Sequence, residues 1–71
     1  MRSNYKGKSG DTDLHHVREL PRGYSLWRCI NAGGTPYSMI VDPHGDEIKS
    51  IETVRESSML SNFRFYLKMR G

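Results

Sequence analysis

The stretch of residues 20–50 constrains the fold of this chain most, because two β-prone runs alternate in it with turn-forming residues. Residues 24–30 and 37–41 are rich in aromatic and β-branched side chains, which favour strands. The residues between them, 31–36, include two glycines and a proline and suit a hairpin loop. The sequence therefore predicts a β-hairpin at the centre of the chain.

A second turn and a helix are predicted to follow the hairpin. Residues 42–45 read Asp-Pro-His-Gly, a turn composition, and residues 47–49 suit a short third strand. Ser50 can cap a helix that ends near Ser57 and Ser58. We therefore expect an α+β fold in which one α-helix packs on a three-stranded antiparallel β-sheet.

The two ends of the chain flank this arrangement. Residues 1–13 are polar and lack apolar periodicity, so we expect a flexible N-terminal arm and a single small domain over residues 14–71. A chain of 71 residues buries only about 60% of its unfolded surface, which allows a thin core but no deep active-site cavity. Leu26, Trp27 and Phe63 are expected in that core.

The C-terminal segment fits two conformations. Residues 63–70 alternate strictly between apolar and polar side chains, which favours a strand or an extended segment. A helical alternative places Arg64 and Lys68 on one stripe, away from Leu60 and Leu67. Either conformation gives one apolar side and one basic side.

Charge and cysteine content limit the partners and the compartment. The net charge of +3 and the pI of about 9.3 favour polyanionic partners, because lysine and arginine release counterions from phosphates. Cys29 is the only cysteine, so no intramolecular disulfide forms and we expect an intracellular protein. No apolar run approaches about 20 residues, and we expect no membrane partner.

The sequence gives little support to catalysis or metal binding. Four residues are potential zinc ligands: His15, His16, Cys29 and His44. Their spacing matches no compact zinc pattern. Asp42 and Asp46 flank His44, but turn chemistry accounts for this cluster. We therefore expect neither an enzyme nor a cofactor, a metal or a small-molecule substrate.

The order of the landmarks resembles that of a known family. In chain order they are Leu20-Pro21-x-Gly23-Tyr24, a strand, a glycine-containing loop, a strand, Asp42-Pro43-His44-Gly45 and Ile48-Lys49-Ser50. This order is similar to that of methyl-CpG-binding domains, and the segment from Leu60 to Phe65 resembles the family's closing Phe-x-Phe hairpin. The resemblance implies a chromatin protein that binds DNA in the nucleus; without it, the cytoplasm or the nucleoid is expected.

The chain departs from the family at the residues that select methyl-CpG. The family grips two guanines with two arginines, and these positions fall near Asn31 and on Lys49. Lysine lacks the planar guanidinium fork that binds guanine in a bidentate manner. Methyl-CpG specificity is therefore expected to be weak or lost.

Other DNA-binding domains share the arrangement of three strands and one helix and lay the sheet in the major groove, which is wide enough to hold it. On this comparison we expect a double-stranded DNA-binding module that uses the sheet and exposed basic side chains. The candidate contacts are Arg22, Arg28, Lys49, Arg64, Lys68 and Arg70, supplemented by Tyr24 and Tyr37.

A second function class stays open. Residues 31–48, which include the hairpin loop, the second predicted strand and the turn after it, contain no lysine or arginine. This absence favours a protein-protein interaction module on the same fold. Binding that falls steeply with salt indicates DNA, whereas a protein docking site lacks that dependence.

Overall fold

The structure, a computed structural model, describes residues 5, 7, 9–51 and 55–70. It contains three strands and one α-helix: β1 (Thr12–Glu19), β2 (Ser25–Ile30), β3 (Pro36–Val41) and α1 (Glu56–Arg70). The strands form one antiparallel sheet in the order β1-β2-β3, and α1 packs against β3. The predicted α+β fold, a three-stranded antiparallel sheet with one helix, is confirmed.

The three strands are not all the predicted ones. β2 and β3 lie within one residue of the two predicted runs. The third strand is β1, which precedes them, whereas residues 47–49 contribute only a single bridge between Val41 and Glu47. The predicted N-terminal arm therefore ends in a strand, since Thr12 and Asp13 belong to β1.

A tight reversal makes the pairing of β1 with β2 possible. A 3₁₀ turn, Pro21–Gly23, connects the two strands, and the backbone N–H of Leu20 donates a 2.8 Å hydrogen bond to the carbonyl of Tyr24. Arg22 and Gly23 have φ angles of 63° and 85°, in the left-handed region. Glycine adopts this region without penalty, whereas arginine rarely does.

The helix also lies later in the chain than predicted. Lys49–Ile51 form a 3₁₀ turn where the predicted helix begins, and residues 52–54 lie outside the described residues. The C-terminal segment is α-helical rather than extended. Helical spacing lets Met59 and Phe63 pack together under the sheet, which an extended segment does not achieve.

Each side of the sheet carries its own apolar cluster, because neighbouring residues of a strand point to opposite sides. The cluster under α1, here called the helix-side core, comprises Leu26, Ile40, Ile48, Ile51, Met59 and Phe63. The cluster on the other side, here called the N-terminal-side layer, comprises Trp27, Cys29, Tyr37, Met39 and Val41, with Tyr5 and Leu14 packed against it. The predicted burial of Leu26, Trp27 and Phe63 is confirmed.

Candidate nucleic-acid interface

The apolar parts of both sheet faces are engaged inside the protein. Leu26 is fully buried beneath α1, and Trp27, its neighbour on the opposite side, is only 8% exposed. Tyr5 meets the Trp27 ring edge-on at 5.7 Å between centroids. A partner must therefore be bound mainly through surfaces other than the central faces of the sheet.

The net charge of the protein is concentrated in its C-terminal third. Residues 48–71 contain five lysines and arginines against two acidic residues, whereas residues 1–47 contain six of each. In α1 the only acidic residue is Glu56, at the first turn, and the basic residues lie toward the end. This distribution suits the helix dipole and leaves the C-terminal half of α1 strongly basic.

The outer face of α1 carries a basic and apolar surface. Arg64 and Lys68 are four residues apart on this face, and both are exposed. Together with Ser61 and Phe65 they line a shallow depression of about 330 Å³. In the part of the chain that the structure describes, neither Arg64 nor Lys68 has an acidic partner. We call Ser61, Arg64, Phe65 and Lys68 the outer helix patch.

Arg70 lies at the end of the helix beside an aromatic pair. Its guanidinium carbon is 5.3 Å from the centroid of the Tyr66 ring, a cation–π distance. Tyr66 in turn meets Tyr24 edge-on at 6.1 Å. Arg22 is two residues before Tyr24, so the turn that carries Arg22 and the end of α1 that carries Arg70 lie at the same end of the domain.

Two other predicted basic contacts belong to other elements. Lys49 is exposed in the 3₁₀ turn before the helix. Arg28 projects from β2 toward the start of α1, where its Nε is 3.6 Å from a carboxylate oxygen of Glu56. Glu56 offsets part of the charge of Arg28, so Arg28 contributes less to an anion-binding surface than Arg64 and Lys68 do.

Tyr37 is not on the predicted surface. It is only 6% exposed, and its hydroxyl donates a 2.8 Å hydrogen bond to Asp11 Oδ2. Burial, assisted by neighbouring Cys29 and Asp11, raises the pKa of Tyr37. Tyr24 is half-buried, and burial and its neighbour Tyr66 raise its pKa as well. These two tyrosines therefore pack within the domain, and Tyr37 is not available as a DNA contact.

Sequence reasoning missed two exposed apolar residues of α1. Phe65 is 67% exposed and Met69 is 85% exposed, whereas Phe63 is 3% exposed. The alternating pattern had placed these three on one side. The signal was present in the helical alternative, since 100° per residue puts Phe65 on the side of the helix opposite Phe63.

The candidate ligands and acid–base residues do not converge. Among residues 9–51 and 55–70, no three His, Cys, Asp or Glu side chains form a group that could hold a metal ion. One carboxylate oxygen of Asp42 accepts the backbone N–H groups of His44 and Asp46, each at 2.9 Å. This turn accounts for the acidic cluster around His44.

Neither a membrane-spanning helix nor a similar known protein indicates the function of this chain. In the described part of the chain, no helix is long and apolar enough to cross a membrane. The resemblance to methyl-CpG-binding domains stays a prediction from sequence landmarks. Comparison with protein-family models, curated proteins and solved structures finds no match to this chain.

Proposed function

We propose that this protein is a small, non-catalytic double-stranded DNA-binding module that contacts DNA through the outer helix patch. The observation that carries this proposal is the pair Arg64 and Lys68, both exposed on one face of α1. The only acidic residue of the helix, Glu56, lies at its opposite end. A partner approaching this face meets positive charge without acidic side chains of α1.

The dimensions of a helix suit this mode of binding. The major groove of B-DNA admits an α-helix, and outward arginine and lysine side chains reach phosphates or guanine edges there. Arg70 and Arg22, at one end of the domain, are placed for phosphate contacts beyond the helix, and Lys49 is a further candidate. Each neutralised phosphate releases counterions and strengthens binding irrespective of sequence.

The family resemblance extends the proposal to a compartment. If the chain is related to methyl-CpG-binding domains, it acts on chromatin in the nucleus; otherwise it acts in the cytoplasm or nucleoid. Selectivity for methylated CpG is weak or lost in this proposal, because Lys49 stands where the family has an arginine fork.

The test is binding to a short labelled duplex at two salt concentrations, followed by fluorescence anisotropy. The affinity of the wild-type protein should fall steeply with salt. Arg64→Ala and Lys68→Ala should each weaken binding and lower the slope of log K against log salt by about 0.9. A methylated and an unmethylated CpG duplex, run in parallel, test the family resemblance.

The matched control is Arg18→Ala, which removes one positive charge from β1, the edge strand that β2 separates from β3. It should change affinity much less than Arg64→Ala. Equal losses in the two variants would show that the outer helix patch is not the contact surface. Absence of binding at low salt would overturn the proposal.

A second function is favoured by Phe65 and Met69. Large exposed apolar side chains often mark protein interfaces, so this chain is alternatively a protein-interaction module. Binding to a partner protein that persists at high salt and is lost in Phe65→Ala, with no binding to DNA, would select this second function.

A further inference from the structure

We further propose that Phe65 contacts the 5-methyl group of thymine in the major groove, so that the module favours duplexes with thymine beneath α1. The inference rests on the proposed DNA-binding function and deepens it. Phe65 lies beside Lys68 on the exposed face of the helix and lines the same depression as Arg64 and Lys68.

The exposure of Phe65 leaves its ring available to a groove that the helix enters. The ring faces away from the buried Phe63, and Ser61, one turn earlier, has a small side chain. When Arg64 and Lys68 engage the groove, the Phe65 ring beside them enters it as well, because all three side chains line one depression. A small residue beside a large one lets the helix approach the bases closely.

The chemistry of the groove then selects the base. Each base pair presents hydrogen-bond donors and acceptors in the major groove, and thymine alone among the four bases adds a methyl group. A phenyl ring over that methyl group buries apolar surface on both partners. The same ring over a G·C pair covers donors and acceptors that it cannot satisfy.

Charge distinguishes DNA from a second copy of this chain as the occupant of this face. Two antiparallel helices packed by their outer faces would bring Arg64 and Lys68 of one copy near those of the other. Like charges at close range oppose such a pairing. A phosphate backbone has the complementary charge.

The experiment compares two A·T-rich duplexes of identical sequence, one with thymine and one with uracil in place of every thymine. Uracil keeps the hydrogen-bonding groups and lacks only the methyl group. The wild-type protein should bind the uracil duplex about fourfold more weakly for one methyl contact. Phe65→Ala should bind both duplexes equally.

Two further variants act as controls. Val17 is an exposed apolar residue on β1, and the variant Val17→Ala should keep the fourfold preference for the thymine duplex. Arg64→Ala should weaken binding to both duplexes and keep their ratio. Any preference that remains in Phe65→Ala measures the difference in stiffness between the duplexes and is subtracted from the wild-type preference.

The outcomes separate the two proposals. Equal binding of both duplexes by the wild-type protein, or an undiminished preference in Phe65→Ala, would overturn the thymine contact and leave the DNA-binding function standing. Absence of salt-sensitive binding to either duplex would overturn the DNA-binding function and the thymine contact together.

Discussion

The two sides of the sheet are closed by different kinds of interaction. On one side α1 covers aliphatic, thioether and aromatic groups such as Leu26, Met59 and Phe63. On the other side, Trp27 and Tyr37 make apolar contacts and also donate hydrogen bonds, to Ser25 Oγ and Asp11 Oδ2 respectively. The first side depends mainly on shape and burial, whereas the second also depends on tyrosine hydroxyls that donate hydrogen bonds to carboxylates.

The hydrogen bonds of the N-terminal-side layer connect segments that are distant in sequence. The Tyr5 hydroxyl donates to Glu47 Oε1 at 3.1 Å, and the Tyr37 hydroxyl donates to Asp11 Oδ2 at 2.8 Å. Burial, followed by the charge of Glu47, raises the pKa of Tyr5. Neutral tyrosines thus hold the N-terminal segment against β2, β3 and the turn that follows.

The largest effect is expected from breaking the helix-side core. Phe63→Ala should lower the free energy of unfolding by about 3–5 kcal/mol, because it empties a buried aromatic site. Phe65→Ala, the same change two residues later on the exposed face, should alter it by less than about 0.5 kcal/mol. Urea unfolding followed by circular dichroism measures both, and comparable losses would contradict the assigned helix orientation.

The second effect is a loss of stability at alkaline pH that arises from the N-terminal-side layer. The folded state keeps Tyr5 and Tyr37 protonated above their ordinary pKa of 10, so above pH 10 the unfolded state binds fewer protons. The stability that these two tyrosines contribute is therefore fully present below pH 10 and falls as pH rises, by up to about 1.4 kcal/mol per pH unit for each tyrosine.

Alkaline unfolding curves measure this dependence. Tyr37→Phe should make the fall of stability above pH 10 shallower than in the wild-type protein. The buried Cys29, whose pKa is also raised above its ordinary 9, starts the decline earlier. An unchanged slope in Tyr37→Phe would show that this hydroxyl is not held in its neutral form.

A smaller effect is expected for Tyr37→Phe at neutral pH. The substitution keeps the ring and removes the donor to Asp11, which should cost about 1–3 kcal/mol. Thermal unfolding at pH 7 measures the loss. Stability equal to that of the wild-type protein would mean that water replaces the tyrosine hydroxyl at Asp11 without penalty.

The smallest effect concerns the ion pair at the start of α1. Glu56→Gln removes the partner of Arg28, but both side chains are partly exposed, so the change should cost less than about 1 kcal/mol. Urea unfolding at low and at high salt checks this value. A loss above about 2 kcal/mol at low salt would assign the pair a larger role in positioning the helix.

The sequence was sufficient for the central hairpin because its turn residues are unambiguous. β2 and β3 contain aromatic and branched residues on both sides of a glycine loop, so local preference and tertiary packing agree. β1 escaped prediction because its sequence is mostly polar and its side chains are largely exposed. Its pairing with β2 depends on the reversal at Arg22 and Gly23.

The conformation of the C-terminal segment required tertiary information. Phe63, Phe65, Leu67 and Met69 fit a period of two by coincidence, and only burial of Phe63 against the sheet separates helix from strand. The exposure of the basic side chains followed from their chemistry. The burial of Tyr37 and the ion pair of Arg28 could not be predicted from the sequence, because both depend on contacts between distant segments.

The buried position of Cys29 makes its thiol a reporter of local opening of the sheet. Cys29 is 3% exposed near the end of β2, and burial raises the pKa of its thiol, so little of it is reactive thiolate while the sheet is closed. Since no other cysteine competes, the rate of alkylation by a soluble reagent reports how often this part of the sheet opens. Local opening of the sheet around Cys29 can thus be followed through the natural thiol, without an added probe.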